Sequence, residues 1–150
     1  LLIFLSGHGT LYSIQGLNRC NVVVRCMNDH LFKDRIVYAL SCSTSSILGR
    51  SAKTKGCKCY IGYTGEIIFP FHGYPESEVF NDYLSNPFMN ASNEVILSLI
   101  KGKSPEESFK NSQKIFEQSI AYWEQQVRKG AYEITRSLKS IKNMQVMITQ

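Results

Sequence analysis

The sequence contains no apolar run near the ~18 residues that a membrane-spanning helix needs. Its opening apolar stretch, Leu1–Leu5, is far shorter and lacks the basic flank and small-residue cleavage pattern of a signal peptide. There is no block of like charges and no basic cluster interleaved with aromatics, so a nucleic-acid role has little to rest on. Of the formal charge of +5, residues 101–150 supply +4, from nine Lys/Arg against five Asp/Glu. That excess reads as the solvated faces of C-terminal helices. Gly49–Gly56 lacks the Gly-Lys-Ser/Thr ending of a phosphate loop, and this disfavours a nucleotide-binding reading. Five cysteines, an odd count, fall without scaffold-like spacing. Free thiols in a reducing cytoplasm are therefore the expected state. Cys57 and Cys59 form the closest pair, but a structural zinc site takes four ligands, and no second pair follows. They read as packing on a strand, sharing one face with Ile61 and Tyr63. No metal and no cofactor is expected, and the sequence has neither internal repeat nor low-complexity segment.

What is present begins with two apolar runs of the same design. Leu1–Leu5 ends in Ser6-Gly7-His8-Gly9-Thr10, and Ile36–Leu40 ends in Ser41-Cys42. Continuous apolar runs bounded by small residues are the pattern of strands buried on both faces of a parallel sheet. Parallel neighbours finish at one sheet edge, where open α/β sheets keep their chemistry. His8 and Cys42 would then stand side by side. Glycines flanking His8 permit close approach of another chain, although an ordinary tight turn has the same composition. Ser43–Ser46 offers N-caps for a helix through Ile47–Ala52 toward Gly56, which would set Cys42 beside oriented amides that favour a thiolate. The plainer reading of Cys42 is a buried strand-end cysteine.

Further along, Leu11–Ile14 and Asn21–Arg25 suggest a hairpin, and Met27–Lys33 a helical turn or two with His30 at the surface. Cys57–Thr64 is a third strand, closed by Gly65-Glu66. Ile67–Pro75 is aromatic and interrupted by prolines, a loop on the rim of the crevice whose His72 rivals His8 as the base. Helical spacing follows over Glu76–Asn86, with Val79, Phe80, Tyr83 and Leu84 on one stripe, and over Asn93–Lys101. Ser104-Pro105-Glu106-Glu107 has the capping serine, early proline and third-position glutamate of a helix start. That helix is expected to bury Phe109, Phe116, Ile120, Trp123 and Val127. Gly130 interrupts it, Ile134, Leu138 and Ile141 continue a helical face, and Met144–Ile148 reads as a last strand.

Cysteine–histidine catalysis needs a sulfur nucleophile, an imidazole to move a proton, and amide donors for the oxyanion. The two strand-end blocks, Ser6-Gly7-His8-Gly9 and Ala39-Leu40-Ser41-Cys42, resemble the His-Gly and small-residue-Cys blocks of caspase-like cysteine peptidases, the clan of caspases, gingipains, clostripain and separase. The closest likeness is to the CHAT domain, a caspase-like domain often attached to tetratricopeptide repeats. Gly56–Thr64 resembles the strand after the catalytic cysteine, and Asn93–Ile96 through Gly102–Phe109 the helices after it.

The resemblance implies a three-layer α/β/α sandwich with a mostly parallel central sheet. It also implies that residues 1–150 are the C-terminal portion of one such domain, with strands upstream of Leu1. By the resemblance Cys42 is the nucleophile, His8 the acid for the leaving group, and the amides of Gly9 and Cys42 the oxyanion hole. Gly7, Ser41 and Glu66 are candidate substrate contacts. Glu66 suits a Lys or Arg before the scissile bond, whereas Leu40 leaves an apolar preference open, and glutamate is in any case a common surface residue. The block around Cys42 is not the Gln-Ala-Cys-x-Gly of true caspases, so cleavage after Asp is not implied. Ser41 also stands where CHAT domains usually carry Ala. The implied activity is hydrolysis of a protein substrate, regulated by a partner protein or by repeats outside this chain. The other implied role is a catalytically inactive scaffold for protein–protein interaction.

Overall fold

The computed structural model describes residues 1–68, 70, 82–127 and 130–149. The chain divides into two compact units, one formed by Leu1–Ile67 with Met144–Gln150 and the other by Ile68–Asn143. Among the described residues it is an α/β fold with a mixed, mostly parallel four-stranded sheet and four α-helices.

In the first unit the strands are β1 (Leu2–Ser6), β2 (His8–Gly9), β3 (Ser13–Gln15), β4 (Asn21–Val24), β5 (Ile36–Leu40), β6 (Cys59–Tyr63) and β7 (Gln145–Ile148). The main sheet runs β1-β5-β6-β7, with β1, β5 and β6 parallel and β7 antiparallel to β6. A small antiparallel sheet runs β2-β3-β4. Helix α1 (Leu48–Thr54) follows the Cys42 turn. One core cluster gathers Val37 and Ala39 of β5, Tyr60 of β6, Leu48 and Ala52 of α1, and Ile14, Val23, Phe32 and Cys57, with Ile3 and Leu5 packed against it. Alternation along the strands sends Tyr38, Ile61 and Tyr63 to the opposite face, where all are fully buried. Gln145 donates to the Tyr63 hydroxyl at 3.1 Å, and the Tyr38 and Tyr63 hydroxyls lie 3.4 Å apart. Burial, reinforced by the neighbouring Tyr63, pushes the Tyr38 phenol well above its ordinary value, so it stays neutral.

The strand pattern of the sequence is realised with physical corrections. β5 is buried as expected, whereas β1, which among the described residues pairs only with β5, leaves Phe4 41% exposed, stacked on Tyr38 with ring centroids 5.4 Å apart. β4 is protected by a side chain. The Asn28 carboxamide donates to Val22 O at 2.9 Å and accepts from Val24 N at 2.8 Å, taking the place of a neighbouring strand on that edge.

Cys57 and Cys59 are both buried, but they do not share a face. Cys57 precedes β6 and joins the cluster under α1, while Cys59 is the first residue of the strand. Burial raises the Cys57 thiol above its ordinary value, against the lowering effect of its hydrogen bond to Cys59 and of Lys53.

The second unit is helical: α2 (Asn86–Ile100), α3 (Pro105–Glu124) and α4 (Ala131–Met144, whose last residue belongs to the first unit). The capping box is present at α3, with Ser104 Oγ accepting from Glu107 N at 3.1 Å and Glu107 accepting from Ser104 N at 3.2 Å. Ser112 donates to Ala91 O at 2.7 Å and Asn111 to Ser98 Oγ at 3.0 Å, joining α3 to α2. Phe116 and Trp123 are buried as the stripe predicts, but α3 ends at Glu124 and Val127 is exposed. Helices were expected over Glu76–Asn86 and Asn93–Lys101; residues 76–81 of the first lie outside the described residues, and the second is found extended back to Asn86 as α2. Pro87 sits in its first turn, where a missing N–H costs nothing, and so opens the helix instead of breaking it. Tyr83 and Leu84 lie in the turn before it, with Leu84 N bonded to Asp82 Oδ1 at 3.0 Å. Val79 and Phe80 lie outside the described residues.

Candidate active site

β1 and β5 pair from Leu2↔Ile36 to Ser6↔Leu40, and Gly7 N donates to Leu40 O at 3.3 Å one step beyond. Both strands therefore end at the same edge. The chain leaving β1 does not form the tight turn expected around His8. It enters the small sheet, where His8 pairs with Gln15 and Gly9 with Ile14. The hairpin closes with Thr10 N donating to Ser13 O at 2.9 Å, and Thr10 Oγ1 accepts from Tyr12 N and Ser13 N at 3.1 and 3.0 Å.

In an antiparallel ladder the hydrogen-bonded pairs alternate. With Thr10 bonded to Ser13, His8 is the next bonded position, and Gly9 turns its N–H and C=O away from β3. The cysteine turn lies against the face toward which a side chain at Gly9 would point. A Cβ on Gly9 would strike the Cys42 carbonyl oxygen, lie 2.6 Å from Cys42 N and 2.9 Å from the Ser41 carbonyl carbon. Glycine is thus required for the two backbones to touch. The imidazole of His8 is exposed, and Cys42 is half-buried.

After Cys42 the chain reverses through Ser43, whose φ of 59° is left-handed and unusual for a residue other than glycine. The turn lies along the segment that follows β6. Ser45 N donates to Tyr63 O at 3.0 Å, Ser43 N to Gly65 O at 2.9 Å, and Ile67 N to Cys42 Sγ at 3.3 Å. Ser46 Oγ donates to Thr64 O at 2.9 Å. The expected helix start at Ser43–Ser46 is displaced. Those residues are spent on the turn, α1 begins only at Leu48, and its N-cap position, Ile47, makes no side-chain cap. A helix N-terminus therefore does not adjoin Cys42.

Gly7 is exposed on the strand-end side of His8. Ser41 is 1% exposed, and its Oγ has no hydrogen-bond partner among the described residues. Glu66 is exposed, between the two residues that bond to the cysteine turn. His72 lies outside the described residues, whereas His30 is at the surface as expected. Among the described residues no group of three or more His, Cys, Asp or Glu is placed to hold a metal ion. No helix among them is long and apolar enough to cross a membrane.

Two features escaped the sequence reading. The Ile67 N–H is a main-chain donor inside an aromatic, proline-rich stretch, and no residue type signals it. Asp29 is fully buried beneath α1, bonded to Lys55 Nζ at 2.6 Å, Ser51 Oγ at 2.7 Å and Cys26 N at 2.9 Å. Its signal was the i, i+4 pair of Ser51 and Lys55 on a short helix, which offers two donors on one face. Comparison with protein-family models, with curated proteins and with solved structures finds no match to this chain.

Proposed function

We propose that this chain carries the catalytic half of a caspase-like cysteine peptidase, folded as a three-layer α/β/α sandwich. The supporting observation is the backbone contact of Gly9 with Cys42, which joins the histidine strand to the cysteine turn at one sheet edge. In this reading Cys42 Sγ attacks the carbonyl carbon of a peptide bond in a protein substrate. The N–H groups of Gly9 and Cys42 receive the oxyanion. His8 delivers the proton to the departing amine as the C–N bond breaks, leaving an acyl-thioenzyme. Water then attacks the thioester, releasing the acid and restoring the thiol. Glu66 selects Lys or Arg before the scissile bond, and Gly7 and Ser41 border the substrate path. No cofactor enters the scheme. Free thiols fit a reducing compartment such as the cytoplasm, and control by a partner protein or by repeats outside this chain follows from the resemblance to CHAT domains.

The test is hydrolysis of a fluorogenic peptide pool with Lys, Arg or apolar residues before the cleaved bond. Cys42→Ala and His8→Ala are each expected to lower kcat/KM by about a thousandfold. Glu66→Gln is expected to weaken cleavage after Lys and Arg alone. Hydrolysis by both Ala variants at the parental rate overturns the peptidase reading. A second reading, an inactive scaffold, draws on Leu17, Val22, Met27 and Leu31, which are large, apolar and at least 48% exposed on or beside the small sheet. Retention of the parent's cellular function by Cys42→Ala would favour it.

A further inference from the structure

The bonds between the cysteine turn and the segment after β6 have the spacing of an antiparallel ladder. Ser45 meets Tyr63, Ser43 meets Gly65, and the next step along that series would join Ser41 to Ile67. At that step the acceptor changes. The Ser41 carbonyl is taken up inside the turn by Thr44 Oγ1 at 3.3 Å, and the Ile67 N–H reaches the Cys42 sulfur instead, at 3.3 Å. We propose that Ile67 is a positioning residue whose main-chain N–H holds the Cys42 sulfur in place.

The donor arrives pre-placed. Thr64 N and Oγ1 both donate to Met144 O, at 2.9 and 3.2 Å, so the segment is anchored on the side away from the turn. Gly65 lies against the Met144 sulfur so closely that a Cβ would collide with it. Ser46 Oγ and Ser43 N grip the same segment from the cysteine side. A donor two residues beyond a segment held in this way loses less freedom on donating to sulfur than one in an untethered loop. Sulfur is a weak acceptor as a thiol and a stronger one once it carries charge, so a donor aimed at it holds the sulfur most firmly in the form that reacts. The role assigned to Cys42 rests on the proposed function, but the chemistry of its sulfur is measurable without any peptide substrate.

The experiment follows alkylation of the full chain by iodoacetamide, in which sulfur displaces iodide, with exposed Cys20 as internal reference. Ile67→Ala keeps the N–H, whereas Ile67→Pro removes it. An amide-to-ester replacement of the Glu66–Ile67 linkage, made by semisynthesis, removes only the hydrogen-bond donor. At pH 7, Cys42 alkylation relative to Cys20 should fall about tenfold in the Pro and ester forms, one charge-assisted hydrogen bond's worth, and stay within about twofold in the Ala form. An ester form that reacts at the parental rate, or an Ala form that slows as much as the ester, overturns the assignment. If the ester slows alkylation and no peptide is hydrolysed by the parent, the positioning role stands and the peptidase reading falls. If peptides are cleaved and the ester alkylates normally, the reverse holds.

Discussion

A side chain at residue 9 would meet backbone atoms, which cannot rotate away as the tip of a flexible side chain can. The Cβ of Gly9→Ala would press on the carbonyl oxygen of Cys42 and lie 2.6 Å from its nitrogen. Relief requires separating β2 from the cysteine turn, and overpacking of that kind costs about 1–3 kcal/mol. Gly9→Ala should therefore lower the urea midpoint and, below it, change the alkylation rate of Cys42 while leaving that of exposed Cys20 untouched. An unaltered Cys42 rate would mean that Gly9 does not set the cysteine geometry. At this scale the sequence was half legible. Glycines beside His8 announced a close approach, but nothing local showed that the approaching group was the Ser41–Cys42 backbone, or that His8 and Gly9 would pair with Gln15 and Ile14. Those are contacts between segments, and a one-dimensional pattern carries them only through the apolar runs that bring the segments together.

Helix α1 has seven residues, no side-chain N-cap, and a length at which an isolated helix does not form in water. Tertiary contacts must hold it. Leu48 and Ala52 are fully buried, and Gly49 lets the Tyr60 ring pack closely, since a Cβ there would lie 2.7 Å from the ring. Asp29 supplies the polar tie, joining Ser51 and Lys55 to the 3-10 turn Asp29–Phe32. Burial works to raise its carboxyl, but the Lys55 and Ser51 hydrogen bonds, the Lys55 charge and the Cys26 amide outweigh that and leave it below 3.8, the ordinary value. A carboxyl lowered in the folded state stabilises above its unfolded value, and the gain is lost as pH falls through the folded one. Asp29→Asn should thus cost about 2 kcal/mol at neutral pH. The difference between parent and variant in urea unfolding should hold down to about pH 4 and shrink below 3.8. A difference independent of pH would assign the loss to packing. The contrast with α3 explains what could be read in advance. Its capping box, Ser104 to Glu107, is a local device and was visible in four consecutive residues. α1 has no such device, so its start could not be placed from Ser43–Ser46.

On the scale of the whole chain the first unit is discontinuous, because β7 returns to β6 after the entire second unit. The Gln145–Tyr63 bond spans 82 residues. A pairing that distant must meet a loop-closure cost before its contacts stabilise anything, whereas α2 and α3 are joined by local contacts. The apolar run Met144–Ile148 was recognisable as a strand, but neither its partner nor its antiparallel sense was, since β6 has equally apolar candidates on either side. The pairing has a chemical reporter. Cys59 opens β6, its neighbour Cys57 lies in the core under α1, and both are buried. Ending the chain at Asn143 removes β7, the Gln145 bond to Tyr63, and the Met144 carbonyl that anchors Thr64. Without them β6 becomes an edge strand with unsatisfied main-chain groups along its length. Cys57 and Cys59, protected in the intact chain, should then react with a thiol reagent at least about tenfold faster in native buffer, as expected where local opening costs over ~1.4 kcal/mol less. Circular dichroism should meanwhile retain the helical signal of α2 and α3. Thiols that stay as protected as in the intact chain would show that β1, β5 and β6 close the core without the returning strand.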